Sequence, residues 1–372
     1  MVRVLSNSLL LAVLMLMGLG LVQVYSSSFI YATEQFNDGL FFFKRQLVFV
    51  FFAFLTLLFV MRIPAPLIEK YGWLLWPLAA VLVALTFLPG VGIRVGGAIR
   101  WIQTPFGFRI EPSEILKIAF PLLFASILAR ERSSLKHIKW WVLLILFLVP
   151  LVLVLKQPDF GTFAIITLVA VGLLFGFGLR WRYVIAGFAL VVPVFYFLVM
   201  NVPYRRARVM AFLDPWSDPT QKGFQVIQSM LSLSSGGIKG VGLGQGQGKL
   251  FFLPEAHTDF TLAVFGEEMG FIGIFILMAL YGFVVFRGFQ IAIRVSSSFF
   301  RALALGLTLV FAFNVLVNAG VVLGLLPTKG LTLPFLSYGG SSLISLSILF
   351  GLLLRIDLMS DRRPILRRGH GS

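Results

Sequence analysis

Leu253-Pro254-Glu255-Ala256-His257-Thr258-Asp259-Phe260 sets four polar or ionisable groups at the head of an apolar segment that runs on to Phe286. As a helix, that segment is long enough to cross the roughly 30 Å hydrocarbon layer of a bilayer. Charge at such a margin needs a partner, a cavity or water. At about 100° per residue, Ala263, Gly266 and Gly270 fall on the face of Asp259. The acid therefore looks over small residues, which let another helix approach closely or leave a cavity. A plainer reading makes Thr258 or Asp259 a cap for free backbone N–H groups at the helix start.

Composition fixes the class. With 59% hydrophobic residues, 12% charged residues and mean hydropathy +0.96 over 372 residues, the chain has more apolar surface than a soluble core of this length needs. It reads as an all-α polytopic membrane protein. There is no cysteine, so disulfides and thiolate chemistry are excluded, and His137, His257 and His370 are too scattered to suggest a zinc site. A net charge of +16 would point to nucleic acid in a soluble protein; here it is explained by Lys and Arg flanking membrane spans, with no nucleic-acid partner. No phosphate-loop or dinucleotide-binding pattern is present, which argues against direct use of ATP.

Outward from the opening stretch, apolar runs mark ten spans: Leu5–Phe29, Leu47–Met61, Tyr71–Leu88, Ser113–Ala129, Trp140–Leu155, Gly161–Leu179, Tyr183–Met200, Phe260–Phe286, Ala302–Leu326 and Ser341–Ile356. The first lacks a short apolar region followed by a small-residue cleavage site, so it reads as an uncleaved span. No repeat or linker divides the chain, and residues 1–372 form one membrane domain with a large outer loop, 201–258, between spans seven and eight.

Of the 31 basic residues, 17 lie in the termini and the even-numbered loops or, for Arg355, at the inner end of the last span; the other side carries 13, six of them in the long loop, and Lys117 is inside a span. Long loops count little in the positive-inside rule, so both termini are expected in the cytoplasm. That orientation, set without any acidic residue, brings Asp159, Glu114, Lys117, Asp259 and Lys329 to the outer level. The plainer alternatives are a structural Glu114–Lys117 pair at i,i+3 and helix caps at Asp159 and Asp259. Glu267 and Glu268 read as packing contacts or a structural polar pair.

Within the outer loop, Arg205, Arg206 and Arg208 beside Phe212-Leu213-Asp214-Pro215-Trp216 suggest a cluster at lipid headgroups. Phe224, Ile227, Met230 and Leu231 suggest an amphipathic helix in the outer interface. The glycine run Gly236–Gly248 reads as surface flexibility rather than a phosphate loop.

These stretches carry a family resemblance. Gly97-Ala98-Ile99-Arg100-Trp101, Pro112-Ser113-Glu114, Gln157-Pro158-Asp159-Phe160-Gly161-Thr162, Leu253 to Phe260, and Leu326 to Ser342 are similar, in the same order, to the SEDS proteins (shape, elongation, division and sporulation), the polytopic polymerases of peptidoglycan. Pro254 to Asp259 together with Pro327-Thr328-Lys329-Gly330 resembles the division branch more than the elongation branch.

The resemblance implies a glycosyltransferase that joins lipid II units to a growing glycan strand at the outer face of the inner membrane. It marks Asp259 as the catalytic acid, expected to act as general base. Lys117, Arg100 and Lys329 are candidates for the leaving pyrophosphate, Glu114 for orienting Lys117, Asp159 for lining the cavity, and His257 and Glu255 for substrate contacts within the same motif. A divalent cation such as Mg at the pyrophosphate is compatible with the chemistry, though no ligand cluster demands one. The implied partners are a class B penicillin-binding protein transpeptidase and other division proteins. The competing class is a lipid II flippase, which would expose its charges to each side in turn, often through repeat-related broken helices; here the charges sit at one level.

Overall fold

The computed structural model describes residues 7–95, 98–103, 109–131, 140–182, 185, 189, 196, 200–201, 206, 210, 212–219, 223–249, 253–328 and 330–360. Helix α1 (Ser8–Phe36) starts where the Asn7 side chain accepts the Leu9 N–H at 2.9 Å, and stops at Asn37, whose φ of 51° leaves the helical region. Then come α2 (Phe41–Met61), and α3 (Ala65–Tyr71), which passes through a 3₁₀ turn into α4 (Leu75–Leu85). A small antiparallel sheet follows in the order β1 (Gly92–Val95), β2 (Ala98–Gln103), β3 (Arg109–Ile110). The remaining helices are α5 (Pro112–Glu131), α6 (Trp140–Lys156), α7 (Phe160–Gly176), α8 (Phe224–Gly236), α9 (Thr261–Arg294), α10 (Ser298–Val322) and α11 (Gly340–Ser360).

The sheet corrects the all-α expectation. In Ile93-Arg94-Val95 and Ile99-Arg100-Trp101 apolar and basic residues alternate with the period of a strand, and pairing satisfies backbone groups between two spans.

Among the described residues, seven helical segments are long and apolar enough to cross a membrane, with α3–α4 counting as one, and α7 and residues 147–156 of α6 are shorter apolar helices. The chain is thus a multi-pass helical membrane protein. The expected span Tyr183–Met200, Arg205, Arg208, the basic loop 132–139, the C-terminal basic run and Lys329 lie wholly or mostly outside the described residues.

Helix α10 is the axis of the bundle: 78% of its apolar window is buried, against 22% in α2 and α9. Its small residues allow this. A side chain on Gly306 would begin 2.8 Å from Pro121, which interrupts α5. Phe311 packs its ring 5.0 Å from Phe350, and Gly20 of α1 leaves room for the backbone at Phe335. At one end of the bundle Asn7 donates to Asp357 at 2.8 Å, and Arg287 lies 3.8 Å from the same carboxylate. The charged residues considered above gather at the other end.

The outer loop packs against the bundle, which corrects one expectation for it. The helix expected from Phe224, Ile227, Met230 and Leu231 is present as α8, with one face on the bundle: Val226, Ile227 and Ser229 are buried, Ser229 donates to the Val322 carbonyl at 2.7 Å, and Leu231 is exposed. The glycine run is docked rather than loose. Val241 and Gly242 donate to the carbonyls of Glu267 and Glu268, both at 3.0 Å, and Phe271 and Ile272 donate back to Gly237 and Ile238. Glu267 and Glu268 are not paired with each other: Glu267 accepts the Gln247 and Gly248 N–H groups, and Glu268 pairs with Lys249.

Candidate active site

Five elements build the charged end. Pro112 starts α5, where its missing N–H costs nothing, and Glu114 occupies the first turn, where the helix dipole favours an acid. One turn on, Lys117 donates to Glu114 at 2.7 Å, and both side chains are buried, 4% and 11% exposed. The ammonium also donates to Asn314 Oδ1 at 3.2 Å. Asn314 is fixed in turn by donating its amide to the Val310 carbonyl at 2.8 Å.

Asn318 follows one turn further along α10, about 6 Å up the axis. Its amide donates to the Asp259 carbonyl at 3.0 Å and to the Leu331 carbonyl at 2.5 Å. One helix face thus carries Lys117, the backbone at Asp259 and the loop after α10. That loop lies over α7 because Gly161 has no side chain: a Cβ there would begin 2.7 Å from Leu331.

Asp159 caps α7, accepting the Thr162 N–H at 3.1 Å. Its second oxygen is buried and finds no hydrogen-bond partner among the described residues. Strand β2 brings Arg100 to the turn before that cap, where the guanidinium donates to the carbonyls of Gln157, at 3.1 Å, and Pro158. A side chain on Gly330 would begin 3.3 Å from Asp259 Oδ2 and 3.8 Å from Arg100 Nη1, so the acid and the guanidinium flank the same glycine.

Asp259 is not a cap. Helix α9 begins after Phe260 with no side-chain hydrogen bond to its first turn, and Thr258 instead donates to Glu255 Oε2 at 2.8 Å. Burial first, then the nearby Glu255 carboxylate, pushes the Asp259 carboxyl up to about 7, against the opposing charge of Arg100. A carboxyl near neutrality can take and release a proton at working pH. Glu111, just before α5, is pushed up to about 8 by burial, then by Glu114 and Asp159, with Lys117 and Arg100 opposing.

Arg100, Glu114, Lys117, Asp159 and Asp259 therefore come together. His257 faces an aromatic cluster, with Glu255 as its charged neighbour. Its ring is stacked 5.5 Å from Tyr31, with Phe42 at 4.7 Å and Tyr338 at 6.0 Å, and burial lowers its pKa. Glu255 is exposed, and Lys329 is outside the described residues. Sequence reasoning missed Glu111, Asn314 and Asn318. Two asparagines one turn apart inside the apolar run Ala302–Leu326 are the signal that would have found the last two, since amides at that depth need partners. Among the described residues no group of three or more His, Asp or Glu side chains is placed to hold a metal ion.

A multi-pass helical protein with acids and bases gathered at one end, tied by two asparagines of its central helix, defines a membrane protein with a polar site at one surface. Residues 7–362 match the model of the FtsW, RodA and SpoVE cell cycle proteins, and the chain belongs to that family. It is 44% identical over 358 residues to the probable peptidoglycan glycosyltransferase FtsW of Geobacter sulfurreducens, covering 96% of each chain. It is 43% identical to the protein of the same description from Geobacter metallireducens, over 96% of this chain and 95% of that one. Among solved structures it resembles a chain described under "Structural coordination of polymerization and crosslinking by a peptidoglycan synthase complex", at TM-score 0.76 and 30% identity, over 96% of this chain and 98% of that one. The rod shape determining protein RodA of Thermus thermophilus superposes at TM-score 0.68 and 26% identity, over 94% and 95%.

Proposed function

We propose that this chain is a division-type peptidoglycan glycosyltransferase that polymerises lipid II at the outer face of the cytoplasmic membrane. The observation that carries the reading is the state of Asp259: uncapping, held by its backbone carbonyl on Asn318, and flanked across Gly330 by Arg100. In the reaction, the 4-hydroxyl of an N-acetylglucosamine attacks the anomeric carbon of an N-acetylmuramic acid in another chain. A C–O bond forms, the bond to the pyrophosphate breaks, and undecaprenyl pyrophosphate leaves with inversion. Asp259 takes the hydroxyl proton as general base. Arg100, Lys117 and Lys329 stabilise the charge that develops on the leaving group, with Glu114 and Asn314 orienting Lys117, Asp159 lining the site, and His257 and Glu255 completing its outer rim.

The topology that goes with this reading is ten spans with both termini in the cytoplasm, and one domain over 1–372 with the outer loop 201–258. In this arrangement the charged end faces outward and the Asn7–Asp357 end faces the cytoplasm. A class B penicillin-binding protein is the expected transpeptidase partner within the division machinery. The test is incubation of the purified chain, with and without that partner, with lipid II, followed by a gel for glycan polymer. Polymer formation supports the reading; transbilayer movement of lipid II without polymer would replace it with a flippase.

A further inference from the structure

Helix α9 is broken. Gly270 has φ 66° and ψ −169°, so residues 261–269 form a short half-helix that does not continue the hydrogen-bond ladder of residues 271–294. The half-helix begins two residues after Asp259 and is about 13 Å long. A break at membrane depth leaves carbonyl and N–H groups that lipid cannot satisfy. Here the glycine-rich segment 236–249 satisfies them from both sides. Its Val241 and Gly242 N–H groups take the carbonyls of Glu267 and Glu268 at the end of the half-helix, and its Gly237 and Ile238 carbonyls take the Phe271 and Ile272 N–H groups at 2.9 and 3.1 Å. The fit requires glycine where the backbones meet: Gly240 has φ 81°, and any side chain there would run into the Glu268 carbonyl.

Two carboxylates fasten the same junction. Glu267 accepts the Gln247 N–H at 2.7 Å and the Gly248 N–H at 3.0 Å. Glu268, whose side chain is fully buried, accepts Lys249 Nζ at 2.7 Å and Ser26 Oγ at 2.6 Å, and Lys249 also donates to Ser26 at 3.2 Å. The second Glu268 oxygen has no partner among the described residues, which leaves Lys249 and Ser26 to hold this acid. None of these groups touches Asp259, and the reaction proposed above uses none of them.

We infer that segment 236–249 is a splint that sets the height and rotation of the half-helix below Asp259, with Lys249 and Glu268 as positioning residues. This rests on the proposed role of Asp259. An unbroken helix would hold its first turn through its own ladder; here the half-helix is held by its buried packing, by Asn318 at Asp259 and by the segment that bridges the break. Loosening the bridge lets the half-helix shift while the lipid-facing part of α9 stays in place, and a displacement of about 1 Å at a catalytic group costs on the order of 100-fold in rate.

The test compares wild type, Lys249→Met, Lys249→Arg and Lys249→Met/Glu268→Gln for lipid II polymerisation, fitted for kcat and KM per folded enzyme, and for thermal stability. Lys249→Met is expected to lower kcat at least about tenfold with KM changed less than about twofold, and Lys249→Arg to recover most of the rate. The double variant, which buries no unpaired charge, should regain stability without regaining kcat. Unchanged kcat per folded enzyme in either Met-containing variant would overturn the inference and leave the pair as a stabilising contact only. Because the chain has no cysteine, Leu243→Cys with Ile276→Cys, 49% and 62% exposed, gives a clean pair of spin labels. Their distance distribution should be narrow in the parent and broad with Lys249→Met, and an unchanged distribution also contradicts the splint. If the parent chain makes no polymer, the proposed function fails, and the label distances, which need no substrate, still decide whether Lys249 and Glu268 fasten the segment across the break in α9.

Discussion

Removing one member of the Glu114–Lys117 pair should cost more than removing both. The two groups meet at 2.7 Å with side chains 4% and 11% exposed, so water screens neither. Glu114→Ala leaves an ammonium whose one remaining acceptor among the described residues is the neutral Asn314 oxygen, at 3.2 Å. Buried pairs broken in this way lose roughly 3–5 kcal/mol, and the surviving Asn314 contact places the value near ~3 kcal/mol. Lys117→Ala strands an acid in a group that already holds Glu111 and Asp159, with a similar ~3 kcal/mol loss. The double variant Glu114→Ala/Lys117→Ala buries no charge and should recover ~2 kcal/mol or more relative to either single change. Equilibrium unfolding of the purified protein in detergent measures all three. A double variant that loses as much as the two single losses added together would show that the pair is not coupled, and the site geometry would need a different account. Under the proposed function stability returns in the double variant but polymerisation does not, because Lys117 also faces the leaving pyrophosphate.

The rate should follow the deprotonation of Asp259: with its carboxyl at about 7, polymerisation should rise with pH through about 7, Glu255→Gln should move that limb to lower pH, and Arg100→Met to higher pH. The sign for stability is opposite. The folded pKa lies above the unfolded value, so this group's contribution falls as pH rises from about 4 to 7, which pH-dependent unfolding checks. Asn318→Ala strips the amide from two carbonyls, Asp259 and Leu331, and should cost ~2 kcal/mol or more and most of the activity; unchanged melting and rate would remove the α10 tether from the account. Reporter fusions after Arg132 and Arg363 should read cytoplasmic and one between Gly236 and Gly248 external, and the reverse pattern would move the charged site to the wrong face.

Much of the architecture was legible because it rests on local properties. Long apolar runs make spans, Pro112 starts a helix, and residues 114 and 117 one turn apart make a pair. The site was legible as residues but not as connections. Nothing local to Arg100 says that a strand will carry it to the turn at Gln157, and Asn314 and Asn318 become meaningful only when Lys117 and Asp259 arrive from other helices. The glycine run was misread for the same reason. Glycine content reports conformational freedom, whereas the order of Gly236–Gly248 comes from the unsatisfied backbone at Gly270, about thirty residues away, which the apolar pattern of Phe260–Phe286 hides. Asp259 looked equally suited to capping, and only the placement of Phe260 at the helix start separates the two roles.

Asp259→Asn tests the central claim most directly. It keeps the size of the side chain and removes its basicity, and since the side chain caps nothing, the variant should be no less stable than the parent, and more stable above about pH 7, where the parent holds a buried charge. General-base catalysis is worth about 10² to 10⁴ in rate, so the account predicts a folded, membrane-inserted protein that makes no detectable glycan polymer from lipid II. Near-normal polymer from Asp259→Asn would contradict it, and the base would then have to be sought at Glu111, Asp159 or Glu255.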